Sequence, residues 1–144
     1  MKISFTRQSH RWCIKHKVNL QVFSNTIKHL CREEGKPSSL KMCINIMPRA
    51  IHSFFDFYTN TLHVAVQAKG TAPRYLKIFR MSRNMLHELR HFIQFRIQKK
   101  PFVFSYSYRD AQLINTKYLN DPDEIDARKY EKAKLKFCYS RLIK

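Results

Sequence analysis

Asn84–Phe95 of this chain is NMLHELRHFIQF. His87, Glu88 and His91 stand in the order H-E-x-x-H, inside a segment whose apolar residues Leu86, Leu89, Ile93 and Ile97 recur at helical spacing. On a helix, residues four apart lie one turn above each other. The two imidazoles therefore project in nearly the same direction and can hold one Zn²⁺ at about 2.0–2.1 Å each. Glu88 is turned about 100° from His87, too far round to be an easy third ligand. It is well placed to take a proton from a water activated by the metal. The apolar stripe lies opposite the histidines, so it is expected to bury against a sheet and leave the histidine face towards a cleft.

Working outward, the spacing predicts this helix over about Ser82 to Gln98, ending before Pro101. Upstream lie three β-like segments, Leu40–Met47, Ile51–Tyr58 and Thr61–Ala68. The last alternates cleanly, with Leu62, Val64 and Val66 on one face, and Thr59–Asn60 suits a tight turn before it. An earlier helix is expected from Ser24, as N-cap, to Glu34, stopped by Gly35 and Pro37. A last helix opens at Asp121, with Pro122 in the first helical position. The stretch FVFSYSY, Phe102–Tyr108, fits either a strand or an aromatic loop. The order helix, strands, helix, loop, helix implies an α+β fold, a small and mostly antiparallel sheet with helices packed on it.

The chain has 144 residues, 44% hydrophobic and 13% aromatic, which suits a single globular domain over 1–144 rather than a disordered segment. Its 28 Lys+Arg against 10 Asp+Glu give a formal charge of +18, spread from Lys2 to Lys144. Such a surface attracts polyanions, so nucleic acid or a nucleoprotein is a candidate partner, against the plainer role of keeping the protein in solution. The four cysteines, Cys13, Cys31, Cys43 and Cys138, form no C-x-x-C pair, which argues against a zinc ribbon and for reduced, isolated thiols. No apolar run approaches the roughly 20 residues of a membrane span, and the basic N-terminus lacks a signal-peptide core. An intracellular setting is expected, the host cytoplasm or a virion if the chain is viral.

A catalytic zinc usually takes three protein ligands. No histidine follows His91, so a third ligand must come from a downstream carboxylate, and DPDEIDARKY offers Asp121, Asp123, Glu124 and Asp126. H-E-x-x-H followed by a helix bearing E-x-x-A resembles the zincin metallopeptidases of the glutamate-ligand type, the gluzincins. It is most similar to their small single-domain phage and bacterial members related to the ImmA/IrrE proteins. The resemblance covers about Thr61 to Leu135. It implies Zn²⁺ held by His87, His91 and Glu124, with Glu88 as general base in peptide-bond hydrolysis. It also implies that Leu62–Gln67 is the edge strand along which an extended peptide would lie.

Two features pull the other way. The family usually has Asp or Asn after the alanine, where this chain has Arg128, so a supporting contact to a histidine ligand is expected to be lost or altered. Glu124 is also the N3 residue of a capping-box-like start, and Asp123 and Asp126 compete for the ligand role. For an oxyanion donor, Tyr106, Tyr108, Tyr118, Tyr130 and His63 are all candidates. The basic, aromatic run Arg7–His16 around Trp12 could stack on nucleic acid, though a packed tryptophan is the simpler expectation. The rival to a peptidase is a non-catalytic structural or binding protein on the same scaffold, using its basic surface in a nucleoprotein assembly.

Overall fold

A computed structural model of the chain describes residues 1–35, 39–48, 53–68, 70–101 and 119–144. Strand β1 (Ile3–Phe5) leads to helices α1 (Arg7–Lys15) and α2 (Leu20–Arg32), then to strands β2 (Leu40–Met47), β3 (Phe54–Asp56) and β4 (Thr61–Gln67). Helix α3 (Arg74–Phe92) runs on into a π-helical turn (Ile93–Ile97), and α4 (Pro122–Leu142) closes the chain. The strands form one mixed sheet in the order β1-β2-β4-β3. Among the described residues no helix is long and apolar enough to cross a membrane.

The mixed α and β character agrees with expectation, but the sheet is not mostly antiparallel. β1 pairs parallel with β2, and β2 parallel with β4; only β3 and β4 run antiparallel. Parallel neighbours need a crossover, which α1 and α2 supply between β1 and β2. The excursion through β3 supplies it between β2 and β4, so the hairpin partner β3 is left on the outside. β4 is consequently not the edge strand; it lies between β2 and β3, with Leu62, Val64 and Val66 buried on one face and Thr61 and Ala65 buried on the other. β3 is shorter than expected because Asp56 ends it, its Oδ1 accepting from the backbone N–H of Tyr58 (2.9 Å) and of Thr59 (3.3 Å). Asn60, at φ 54°, completes the predicted turn into β4. Residues 49–52 and the Phe102–Tyr108 stretch lie outside the described residues.

The basic N-terminal segment is part of the fold. Trp12 and Cys13 are in the core, as the packed-tryptophan expectation requires. Buried Ser9 continues the ladder where β1 stops: its Oγ donates to Met42 O (3.2 Å) and accepts from Ile44 N–H (2.7 Å). α2 begins at Leu20 rather than after Ser24, because Asn19 takes the cap, accepting from Val22 N–H at 3.0 Å. α3 begins at Arg74 rather than near Ser82; its N-cap is Pro73, which has no side-chain acceptor to announce a start. The α3 residues Ile78, Met81, Met85, Leu86, Leu89 and Phe92 are all buried, each contributing about 1.5–3 kcal/mol of apolar burial. Gly35, at φ 142°, ends the turn after α2, and a Cβ there would meet Ile97 Cγ2 at 2.9 Å. Glycine is needed there on both counts.

Candidate metal centre

α3 and α4 pack antiparallel. Arg74 Nη1 donates to Ile143 O (3.0 Å) at one end, the rings of Phe79 and Tyr139 meet edge-on, and Arg90 Nε donates to Asp126 Oδ2 (2.7 Å) at the other. This pairing lays the first turns of α4 over the histidine face of α3, so that face meets a helix rather than an open cleft. Asp121 caps α4, accepting from the N–H groups of Asp123 (2.9 Å) and Glu124 (3.4 Å). The Glu124 side chain does not turn back to complete a capping box. It points at the two histidines, Oε2 lying 2.9 Å from His87 Nε2 and Oε1 lying 3.0 Å from His91 Nε2.

His87, His91 and Glu124 each offer one ligand atom, and these atoms lie within 4.8 Å of one another. A tetrahedral zinc site with bonds of about 2.0–2.1 Å separates its ligands by about 3.3 Å. The Glu124–histidine contacts of 2.9 and 3.0 Å lie just under that separation and the 4.8 Å bound lies above it, so the group could hold a metal ion after small shifts of its side chains. The competing carboxylates are engaged elsewhere. Asp126 holds Arg90 and Gln94, and Asp123 lies 3.5 Å from Lys100.

Two supporting contacts fix how the imidazoles point. Gln94, fully buried in the π-helical turn, donates through Nε2 to Asp123 O (3.0 Å) and Asp126 Oδ2 (2.7 Å). Both partners can only accept, so the amide orientation is forced and its Oε1 must face His91 Nδ1, at 2.9 Å. His91 then keeps a proton on Nδ1, so Nε2, which faces Glu124, is the nitrogen that would ligate a metal once its own proton is lost. On His87, Nδ1 lies 3.3 Å from Glu131 Oε2, with the same consequence. The support expected at position 128 is thus provided by Glu131, one helical turn further on; Arg128 itself donates to Leu119 O (2.6 Å). Neither Gln94 nor Glu131 is picked out by the sequence reading. Their distance along the helix from His91 and Glu124 was visible, but the π-helical register and the crossing of α3 with α4 were not.

Without a metal, the electrostatics of the cluster are those of imidazoles that hold their protons against Glu124 and Glu131. Burial disfavours charge on His87, yet the hydrogen bonds its ring donates to Glu124 and Glu131 outweigh it and lift its pKa to about 10. Burial acts the same way on His91, and contact with Glu124 again raises the pKa. Burial would raise the Glu124 carboxyl, but the two imidazoles hold it well below the usual carboxylate range. A divalent cation bound by these atoms takes over the charge compensation that the imidazole protons supply. Glu88 is buried, 7% exposed, and burial pushes its carboxyl up. The nearby imidazoles and the backbone N–H of Phe55 pull in the opposite direction.

The other candidates are accounted for differently. Tyr130 is buried under the Arg90 guanidinium, which sits 5.0 Å from its ring centroid. The His63 ring stacks on Phe54 at 4.4 Å, and its Nδ1 lies 3.2 Å from the Asn45 amide nitrogen. Both pack rather than face the site. Tyr106, Tyr108 and Tyr118 lie outside the described residues. All four cysteines are free thiols. Comparison with protein-family models, with curated proteins and with solved structures finds no match to this chain.

Proposed function

We propose that this protein is a zinc-dependent metallopeptidase. The observation that carries the proposal is the convergence of His87, His91 and Glu124 on one point, with Glu88 on the same helix beside them. Two imidazoles and one carboxylate suit zinc in its catalytic form, with room for a fourth ligand. Zinc there supplies a Lewis acid that makes water acidic enough to attack an amide near neutral pH. Glu88 takes the proton of that water on its carboxylate and passes it to the leaving amine nitrogen. Its burial favours this role, because a carboxyl whose protonated form is eased by desolvation can hold a proton between the two steps. His87 and His91 stay oriented through Glu131 and Gln94, and Glu124 compensates the metal's charge.

β3, rather than β4, is the strand suited to receive substrate. Among the described residues it is one of the two edges of the sheet, and the backbone N–H of Phe55 interacts with Glu88. An extended peptide added along Phe54–Asp56 would bring its carbonyl close to the general base. The test combines metal analysis with peptide hydrolysis. Wild type and Glu88→Gln should each bind one zinc, while the variant loses hydrolysis by at least 100-fold. Protein purified without zinc that gains none on incubation, or unchanged hydrolysis in His87→Ala, overturns the proposal.

A further inference from the structure

α4 has two opposite faces with different chemistry. Glu124 and Glu131 point to α3 and the metal centre. On the far side Lys129, Lys132 and Lys136 are all exposed, with Ala133 between them and Ser140 continuing the same face; exposed Lys144 follows the end of the helix. Lys129 and Lys136 are two turns apart on one line, and Lys132 sits just beside it. At 1.5 Å per residue, the face from Lys129 to Ser140 is about 17 Å long. Glu131 is the sole acid from Arg128 to the end of the sequence, and it is engaged with His87 and Arg83 on the other side. Among the described residues Lys134 pairs with Glu33, whereas Lys129, Lys132 and Lys136 meet no carboxylate within ion-pair distance.

We propose that this lysine ridge binds the phosphate backbone of double-stranded nucleic acid. A duplex carries one negative charge per about 1.7 Å of axis, so a length of about 17 Å carries about 10 phosphates, of which those on the near side face the ridge. Flexible ammonium groups with small residues between them can each reach one. Lysine acts as a point charge, suited to holding phosphates rather than reading base edges, so binding is independent of sequence. The ridge lacks the apolar flank that seats a helix in a membrane interface; Ile125, at the start of α4, is its exposed large apolar residue. The net charge of +18 draws in a polyanion from a distance, and the ridge is where it docks. The surface faces away from the metal centre, so the inference is independent of any metal chemistry.

The experiment is a salt titration of binding to two fluorescent 20-base-pair DNA duplexes of unrelated sequence. Replacing Lys129, Lys132 and Lys136 together by Gln should reduce the slope of log K against log salt by about 3, equally on both duplexes. The control replaces Lys2, Arg11 and Lys41 by Gln, an equal change in charge at exposed positions on other elements. It should change the slope by less than about 1. Equal losses in the two triple variants mean diffuse charge and overturn the ridge. Tighter binding to phosphatidylserine vesicles or to poly-glutamate than to duplex, at matched charge, overturns the choice of nucleic acid. A thermal melt confirms that each variant is folded. If the triple variant melts early, Lys132→Gln alone should still lower the slope by about 1.

Discussion

Gln94 shows how much one side chain can settle. It is an amide in a buried polar network, and all three of its contacts use an atom whose role is forced by its partner. Gln94→Leu keeps the volume and removes every one of those bonds. It should weaken zinc binding about 10–100-fold, the range for contacts that orient a metal-bound histidine. Competition against a chromophoric chelator measures this, and an unchanged affinity would mean that His91 needs no such support. Gln94→Glu can still accept from His91 but confronts the Asp126 carboxylate, so it should retain more affinity than Gln94→Leu while melting at lower temperature. Of the site itself, His87, Glu88 and His91 were legible in the sequence because their contacts repeat along one helix. Glu124 could be proposed only with rivals, since the ligand and capping roles demand the same residue type at the same position. Its side chain turns to the two histidines and not to the helix cap, and that depends on where α3 crosses α4.

At the scale of elements, the sheet shows the limit of reading strands one at a time. Leu40–Met47 and Thr61–Gln67 were visible from their apolar patterns, but nothing local says that they lie side by side and parallel. β1 is three residues long and shows no periodicity by itself. It becomes a strand because β2 offers a free edge and because Ser9 takes up the next groups on that edge. Ser9→Ala takes the acceptor from the buried Ile44 N–H and one of two donors from the Met42 carbonyl, which keeps the Thr6 N–H at 3.0 Å. It should cost about 1–3 kcal/mol, read from the urea midpoint. A loss within a few tenths of a kcal/mol would show that the strand edge is hydrated and that α1 is held by Trp12 and Cys13 alone. α3 is a similar case at its start. The turns from Arg74 to Met81 are helical because Ile78 and Met81 bury beneath them, and no capping residue signals it.

Across the whole molecule, the buried thiols make a pH dependence that can be worked out in sign. Burial pushes Cys13, Cys31 and Cys138 up from 9.0 to about 12. Below the unfolded pKa both states keep the proton, and the stability associated with it is fully present. Between about pH 9 and 12 the unfolded chain loses protons that the folded chain retains, so stability falls as pH rises, by about 1.4 kcal/mol per pH unit for each thiol. Cys138→Ala should remove one such share from the alkaline slope of urea-unfolding free energy. In the native protein at pH 7.5 a thiol reagent should label Cys43, the half-buried cysteine, well before the other three.

The sequence alone determined the mixed α and β composition, the H-E-x-x-H helix, the Asp121–Pro122 start of α4 and the strong positive charge. Each of these is written in neighbouring residues or in a simple count. The parallel pairing of β1, β2 and β4, the edge position of β3, the convergence of Glu124 on the histidines and the separation of α4 into a side facing His87 and His91 and a lysine ridge were decided by tertiary structure. Those features depend on which elements bury against which, and burial is a property of the packed chain, not of any one segment of it.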